Sequence, residues 1–262
     1  MSKYPLLISC PRSGSTWVQT YVRQSYLNNF SKTLSFSISH PGDDEFLDDD
    51  NFNSDINFKI HFLKLLRERK YELCHKVHTR FLHNEDILNW FIDFYKDHDI
   101  IILKRRNLWK ALISFLFHSN ITKKLKSVYD FKRSTMPELR PRTNATEFLQ
   151  NDDLLKSTIQ SHDIKFTFDK DLCNDYFKQI RYLNTKFEYK IKHLKPQFIY
   201  KEDIDTKFLQ ERFNVKTFVS TTIPLTIKYE IYFKPEDLKN LKQYFEKHYE
   251  NEFKFYGYKY EY

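Results

Sequence analysis

The chain has few of the residues that build cross-linked, secreted or membrane-spanning proteins. Its 262 residues include only three cysteines, Cys10, Cys74 and Cys173, an odd number without metal-ligand spacing. No segment reaches the roughly 18 consecutive apolar residues of a membrane span, and the apolar run near the N-terminus is too short for a signal peptide. We therefore expect reduced thiols, no bound metal, no transmembrane segment and a cytoplasmic location.

Charge restricts the class of partner. Lysine and arginine number 43 against 35 aspartates and glutamates, a net charge of +8 that suits an anionic ligand. The basic residues are spread along the chain, and no helix-turn-helix, zinc-finger or RNA-binding signature is present. We therefore do not expect nucleic acid as the partner.

Apolar runs alternate with helical patterns along the whole chain. Strand-like runs occur at residues 6–9, 73–77, 100–103, 198–200 and, less clearly, 215–219. Helical patterns occur at 16–28, 60–70, 85–96, 108–118, 172–193 and 235–249. This alternation predicts one α/β domain over residues 1–262, with a central parallel β-sheet flanked by helices. The acidic stretch 40–58 is interpreted as a solvated loop in preference to a divalent metal site. The basic stretch 119–148 is interpreted as either a lid over a site or an exposed loop.

One of only three glycines, Gly14, lies between a strand-like run and a helical pattern, in the segment Pro-Arg-Ser-Gly-Ser-Thr-Trp (11–17). A strand, a tight turn and a helix in this order form an anion-binding loop, where backbone N–H groups at the helix N-terminus face a phosphate or sulfate. An ordinary strand–helix turn is the alternative.

Two further motifs follow predicted strands. Lys76 and His78 are two residues apart in a strand, so their side chains point the same way, near the end where open α/β sheets bind ligands. Arg106 follows the strand 100–103, and Ser114 lies on the next helix, on the face shared by Asn107 and Lys110. An arginine and a hydroxyl near a helix start suit a phosphate monoester. A structural histidine and an arginine in surface ion pairs are the alternatives.

Taken in order, these motifs resemble the sulfotransferase family that uses 3'-phosphoadenosine 5'-phosphosulfate (PAPS). The loop 11–17, the Lys-Val-His at 76–78, and the Arg-Asn at 106–107 with a serine eight residues after the arginine match the family's motifs in sequence and order. The stretch "QFIYKEDI" (197–204) looks like the family's strand that ends in Tyr-Glu-Asp-Leu. The stretch 233–258 looks like the closing helix and Gly-Tyr of its bacterial and carbohydrate members, and the chain as a whole is closer to bacterial, viral or carbohydrate-type members than to animal cytosolic ones. The resemblance implies the P-loop NTPase-like sulfotransferase fold.

The resemblance also implies a function and a set of site residues. The activity would be transfer of the sulfonate of PAPS to a hydroxyl or amine of a small-molecule, carbohydrate or lipid acceptor, leaving adenosine 3',5'-bisphosphate and requiring no metal. His78 would be the general base, helped by Lys76 and Arg12. The residues implied in cofactor binding are Arg12, Ser13, Gly14, Ser15, Thr16 and Trp17, with Trp17 on adenine, and Arg106 with Ser114 on the 3'-phosphate. Should His78 not be the base, Glu72 and Asp86 are the nearest carboxylates.

The chain departs from the family pattern in three places. Arg12 stands where cytosolic small-molecule members have lysine, and the C-terminal Arg-Lys-Gly segment with which those members bind the 3'-phosphate is absent. Lys201 stands where the family's Tyr-Glu-Asp has tyrosine, with Tyr200 one position earlier. Two other functions remain open. A P-loop nucleotide kinase needs Gly-x-x-x-x-Gly-Lys-Ser/Thr, but here Ser15 and Thr16 follow Gly14 directly. A non-catalytic nucleotide-binding module on the same fold is the other.

Overall fold

The computed structural model describes residues 4–10, 13–29, 35–38, 73–82, 85–117, 119, 166–216 and 229–258. The chain divides into two compact units, each formed by two separate segments. Unit 1 comprises Met1–Arg106 and Lys178–Pro224, and unit 2 comprises Asn107–Phe177 and Leu225–Tyr262.

Unit 1 contains a five-stranded sheet in which all neighbouring strands are parallel. Its strands are β1 (Pro5–Ser9), β2 (Ser35–Ile38), β3 (Leu73–His78), β4 (Asp99–Lys104) and β5 (Gln197–Tyr200), in the order β2-β3-β1-β4-β5. Strand β1 is buried along its whole length and β4 from its second residue on, as expected for a parallel sheet covered on both faces. The predicted α/β fold with a parallel sheet is confirmed.

The strand register places the predicted motifs at one edge of the sheet. Ser9, the last residue of β1, lies opposite His78 of β3 and Leu103 of β4, and Lys104 lies opposite Tyr200 of β5. Because all the strands run the same way, the segments that follow β1, β3, β4 and β5 leave the sheet at its carboxyl edge. The strand order changes direction at β1, which is the position where open α/β sheets bind ligands.

Helix α1 (Ser15–Asn29) covers one face of this sheet. A buried cluster joins α1 to strand residues and to a later helix that runs from Thr206 to Phe213; its members include Leu7, Val18, Tyr21, Ile101, Ile199 and Leu209. Successive strand residues alternate between faces, so Leu7 and Ser9 share this face with Lys76 and His78 opposite them. Leu6, Ile8, Ile100 and Ile102 point to the other face.

The remaining helices are α2 (Glu85–Tyr95), α3 (108–117), α4 (Lys170–Tyr182), α5 (Glu188–Ile191), α6 (Thr206–Phe213), α7 (Pro235–His248) and α8 (Glu250–Phe255). A π-helical turn, Leu183–Phe187, joins α4 to α5. Within this turn Asn184 Nδ2 donates to the Ile180 carbonyl at 2.8 Å. π-Turns inside helices occur frequently at functional sites.

Unit 2 has an aromatic core. Phe177 stacks on Tyr249 with ring centroids 4.0 Å apart and also contacts Phe245 and Phe253. Helix α7 has Pro235 in its first turn with two acidic residues, and Lys247 and His248 in its last turn, which matches the helix dipole. None of the helices in the described part of the chain is long and apolar enough to cross a membrane.

Several elements differ from the sequence-based expectation. Strand β2 and helices α6 and α8 were not predicted, since four to eight residues are too few for a clear periodicity. Helix α6 nevertheless has local signals: Asp205 caps its N-terminus by accepting from Phe208 N at 2.7 Å, and Asn214 ends it at φ +52°. Of the expected strand 215–219, residues 215 and 216 are not in a strand, and the rest lies outside the described residues. The expected helix 60–70 and the stretches 40–58 and 120–148 also lie outside them.

Candidate functional site

The described part of the loop after β1 contains a glycine at positive φ. Gly14 has φ +82°, a region that side chains disfavour, and α1 begins at the next residue. Ser13 holds the turn: its hydroxyl donates to the Cys10 carbonyl at 2.8 Å and its amide donates to the same oxygen at 3.3 Å. The first N–H groups of a helix have no partner inside the helix, so those that follow Gly14 can receive an anion.

The other predicted residues of this loop are Arg12, Ser15, Thr16 and Trp17. Ser15 is buried and, with Thr16, lies in the first turn of α1. Arg12 lies outside the described residues. Trp17 is only 7% exposed and packs edge-to-face on Tyr21 within the core. Stacking of Trp17 on adenine stays a prediction, and it requires more of the ring to become accessible.

Lys201, the residue that follows β5, lies directly on the loop. A β-carbon at Gly14 would be 2.6 Å from Lys201 Cδ, 2.7 Å from Cε and 3.2 Å from Cγ. The aliphatic chain of this lysine therefore covers the bare face of Gly14. Burial, and next the nearby Arg105 guanidinium, lower the pKa of Lys201. The sequence motif identifies Lys201 only as a departure from the family pattern and not as a site residue.

Lys76 and His78 are both buried on the face that α1 covers. His78 is 3% exposed, and Lys76 Nζ donates to Gln19 Oε1 on α1 at 2.8 Å. The expectation that their side chains share a face agrees with the register, because Lys76 is opposite Leu7 and His78 is opposite Ser9. The structure thus brings His78 to the carboxyl edge next to β1, with Lys76 deeper in the sheet.

Arg106 is held by the segment that follows β5. Its guanidinium forms an ion pair with Asp203 and lies over the Tyr200 ring, with Cζ 4.2 Å from the ring centroid. Its backbone N–H donates to Glu202 Oε2 at 2.9 Å. The hydrogen bond to Asp203 raises the pKa of Arg106. The Arg106 side chain is 37% exposed, so a phosphate from solvent can reach the guanidinium, in competition with Asp203.

Ser114 belongs to unit 2, whereas Arg106 ends unit 1. It is 3% exposed on α3, a helix that Asn107 caps by accepting from Lys110 N at 3.0 Å. Trp109, Ile113 and Phe117 of the same helix are buried as well. A role for Ser114 at a 3'-phosphate stays a prediction.

A buried polar cluster on the opposite face of the sheet was missed by sequence reasoning. Lys104, the last residue of β4, is 6% exposed; its Nζ donates to Asn184 Oδ1 at 2.9 Å and forms an ion pair with Glu188. The charges of Lys104 and Glu188 both act on Cys10, and burial raises the pKa of its thiol to about 11. The sequence shows the Lys-Arg-Arg run at 104–106, but no local pattern identifies Asn184, 80 residues after Lys104, or Glu188 as partners of this lysine.

The remaining candidates are the alternative carboxylates. Asp86 is exposed in the first turn of α2, and Glu72 lies outside the described residues. Among the residues the structure describes, no group of three or more His, Cys, Asp and Glu side chains could hold a metal ion.

The chain matches no protein-family model, no curated protein and no solved structure at a significant level.

Proposed function

We propose that this protein is a PAPS-dependent sulfotransferase, which transfers a sulfonate group to a hydroxyl or amine of a small-molecule, carbohydrate or lipid acceptor. The observation that carries the proposal is the loop after β1. Gly14 has a positive φ and directly precedes helix α1. It lies at the position in the sheet where the strand order changes direction, and cationic side chains follow the neighbouring strands β4 and β5.

Two places in unit 1 offer cationic or N–H donors to the two anionic ends of such a nucleotide. One is the Gly14 loop, with the N–H groups of the first turn of α1 and Lys201 beside it. The other is Arg106, whose guanidinium is partly accessible after β4. A phosphate at each place would make charge-assisted hydrogen bonds, which are the stronger kind.

Four residues have roles in the proposed mechanism. PAPS, when bound, supplies the sulfonate group and a leaving phosphate. His78 removes the proton from the acceptor, a role for which histidine is suited because it titrates near neutral pH. Lys76 and Arg12 supply positive charge near the transferring group, and the Gly14 loop holds the 5'-phosphate. Fixed cations stabilise developing negative charge without reorganisation at the moment of reaction.

Calorimetric titration with adenosine 3',5'-bisphosphate, and separately with ATP and Mg²⁺, tests the nucleotide class. We expect the bisphosphate to bind without Mg²⁺ and to raise the melting temperature, with much weaker binding of ATP. Arg106→Ala should weaken bisphosphate binding about tenfold or more, since a charge-assisted contact contributes roughly 1.5–3 kcal/mol. Tight, Mg²⁺-dependent ATP binding would instead identify a kinase.

Turnover tests the chemistry. Sulfate-labelled PAPS incubated with a panel of phenols, sugars and lipid alcohols or amines should yield a labelled acceptor. Nucleotide binding without transfer to any member of a broad panel would favour the non-catalytic module.

A further inference from the structure

Lys201 is positioned by the strand that precedes it. Strand β5 ends at Tyr200, which lies opposite Lys104, and a short 3-10 turn, Lys201–Asp203, follows. The contacts of Lys201 with Gly14 bring this side chain from the end of β5 to the start of α1. Three of its four methylene carbons lie within 3.2 Å of the place that a β-carbon on Gly14 would take.

Among the described residues, the ammonium of Lys201 forms neither a hydrogen bond nor an ion pair, although the side chain is partly buried. The charge of the adjacent Glu202 carboxylate acts on this ammonium less than burial and Arg105 do, and its oxygens contact other groups: one lies 3.6 Å from Arg105 Nε, and the other accepts from the Arg106 amide at 2.9 Å. A partly buried cation beside a second cation and beside a helix N-terminus is in a region of positive potential. An anion at this place would relieve that potential.

We propose that the Lys201 ammonium binds the 5'-anion of the nucleotide at the Gly14 loop. Recognition of that end of the ligand is then shared between the N–H groups of α1 and a cation from the end of β5. This inference rests on the proposed function, since it assigns a further binding residue to the same nucleotide site. It also gives a second reason for a glycine at position 14, besides its positive φ, because any larger residue would displace the Lys201 side chain.

The test compares two ligands that differ in the 5'-anion. Adenosine 3',5'-bisphosphate carries it, and adenosine 3'-monophosphate does not. Lys201→Met removes the charge and retains most of the aliphatic chain on Gly14, whereas Lys201→Arg keeps a cation. Lys207→Met, at an exposed position of α6, is the control for the same change in net charge.

We expect Lys201→Met to weaken binding of the bisphosphate about tenfold or more, and to change binding of the 3'-monophosphate less than about twofold. Lys201→Arg should retain most of the affinity, and Lys207→Met should leave both ligands unaffected. Melting curves establish that each variant is folded, and Lys201→Gln replaces the methionine variant if that one does not fold.

The outcomes separate this inference from the proposed function. If the wild-type protein does not bind the bisphosphate, the proposed function fails. If the wild type binds and Lys201→Met binds equally well, the function stands and the role of Lys201 is refuted. Equal weakening for both ligands also refutes it, because the lysine would then act on the fold or on another part of the nucleotide.

Discussion

Replacing Gly14 by alanine adds one methyl group at the point where the loop, α1 and Lys201 meet. The substitution has two separable costs. The first is conformational, because φ +82° is disfavoured for a residue with a β-carbon. The second is steric, because the methyl group would lie 2.6 and 2.7 Å from two carbons of Lys201, well inside the 3.5–4.0 Å optimum for non-bonded carbons.

Each cost can be given a magnitude. Placing a residue other than glycine in the left-handed region costs roughly 1–2 kcal/mol of conformational free energy. The lysine is flexible, so it relieves the overlap by leaving the loop, and two of its methylene groups then lose their burial. At about 0.8 kcal/mol per methylene this loss is about 1.5 kcal/mol. We therefore expect Gly14→Ala to lower the free energy of unfolding by about 3 kcal/mol.

Urea unfolding of four variants separates the two terms. Gly257→Ala measures the conformational cost alone, because Gly257 has φ +79° and a β-carbon there would have no neighbour within 4 Å. Lys201→Ala removes the overlapping chain. Gly14→Ala made in the Lys201→Ala background should therefore cost only about 1–2 kcal/mol, close to the Gly257→Ala value.

Strict additivity of Gly14→Ala and Lys201→Ala would contradict this reasoning. It would mean that the lysine chain does not lie on Gly14 in solution, and the proposed role of Lys201 at the loop would lose its geometric basis. A Gly14→Ala cost equal to that of Gly257→Ala would lead to the same conclusion.

Three further predictions concern the polar residues around the site. Glu188→Ala leaves the buried Lys104 cation with the neutral Asn184 amide as its described acceptor, and should cost about 3–5 kcal/mol in urea unfolding. Lys104→Met should cost less, and the double variant should be more stable than Glu188→Ala alone. Additive changes in the free energy of unfolding would contradict the ion pair. Burial raises the pKa of Cys10 from 9.0 to about 11, so its stabilising contribution is complete below pH 9 and is lost as the pH rises through 11. Two pKa units correspond to about 3 kcal/mol in the free energy of unfolding, so this free energy should fall by that much less in Cys10→Ala than in the wild type between pH 8 and pH 11. An equal fall in both proteins would refute the raised pKa of Cys10. His78→Ala should slow sulfonate transfer about 10²–10⁴-fold with nearly unchanged affinity for the bisphosphate, and near-wild-type turnover in the folded variant would exclude it as the base.

Local patterns predicted the elements that carry the site. The short apolar run 6–9 and the helical spacing after Gly14 correspond to β1 and α1, and the runs before His78 and Arg106 correspond to β3 and β4. The alternation of such runs with helices correctly predicted a parallel α/β sheet. These features were readable because strand and helix periodicities act over a few residues, so that burial of one face leaves a regular pattern in the sequence.

The partners of the charged groups could not be read in the same way. Lys104 meets Asn184 across 80 residues, and Arg106 meets Asp203 across 97. Such pairs depend on which strands are neighbours and on where the segments after them turn, and a single sequence carries no periodic record of either.

The sequence alone determined that a glycine turn stands between a buried strand and a helix, because only glycine readily takes positive φ at such a turn. Only the tertiary structure decided that a lysine from the end of β5 covers that glycine. The reason is physical: the order β2-β3-β1-β4-β5 puts β4 between β1 and β5, and the long flexible side chain of Lys201 spans the remaining distance to the loop.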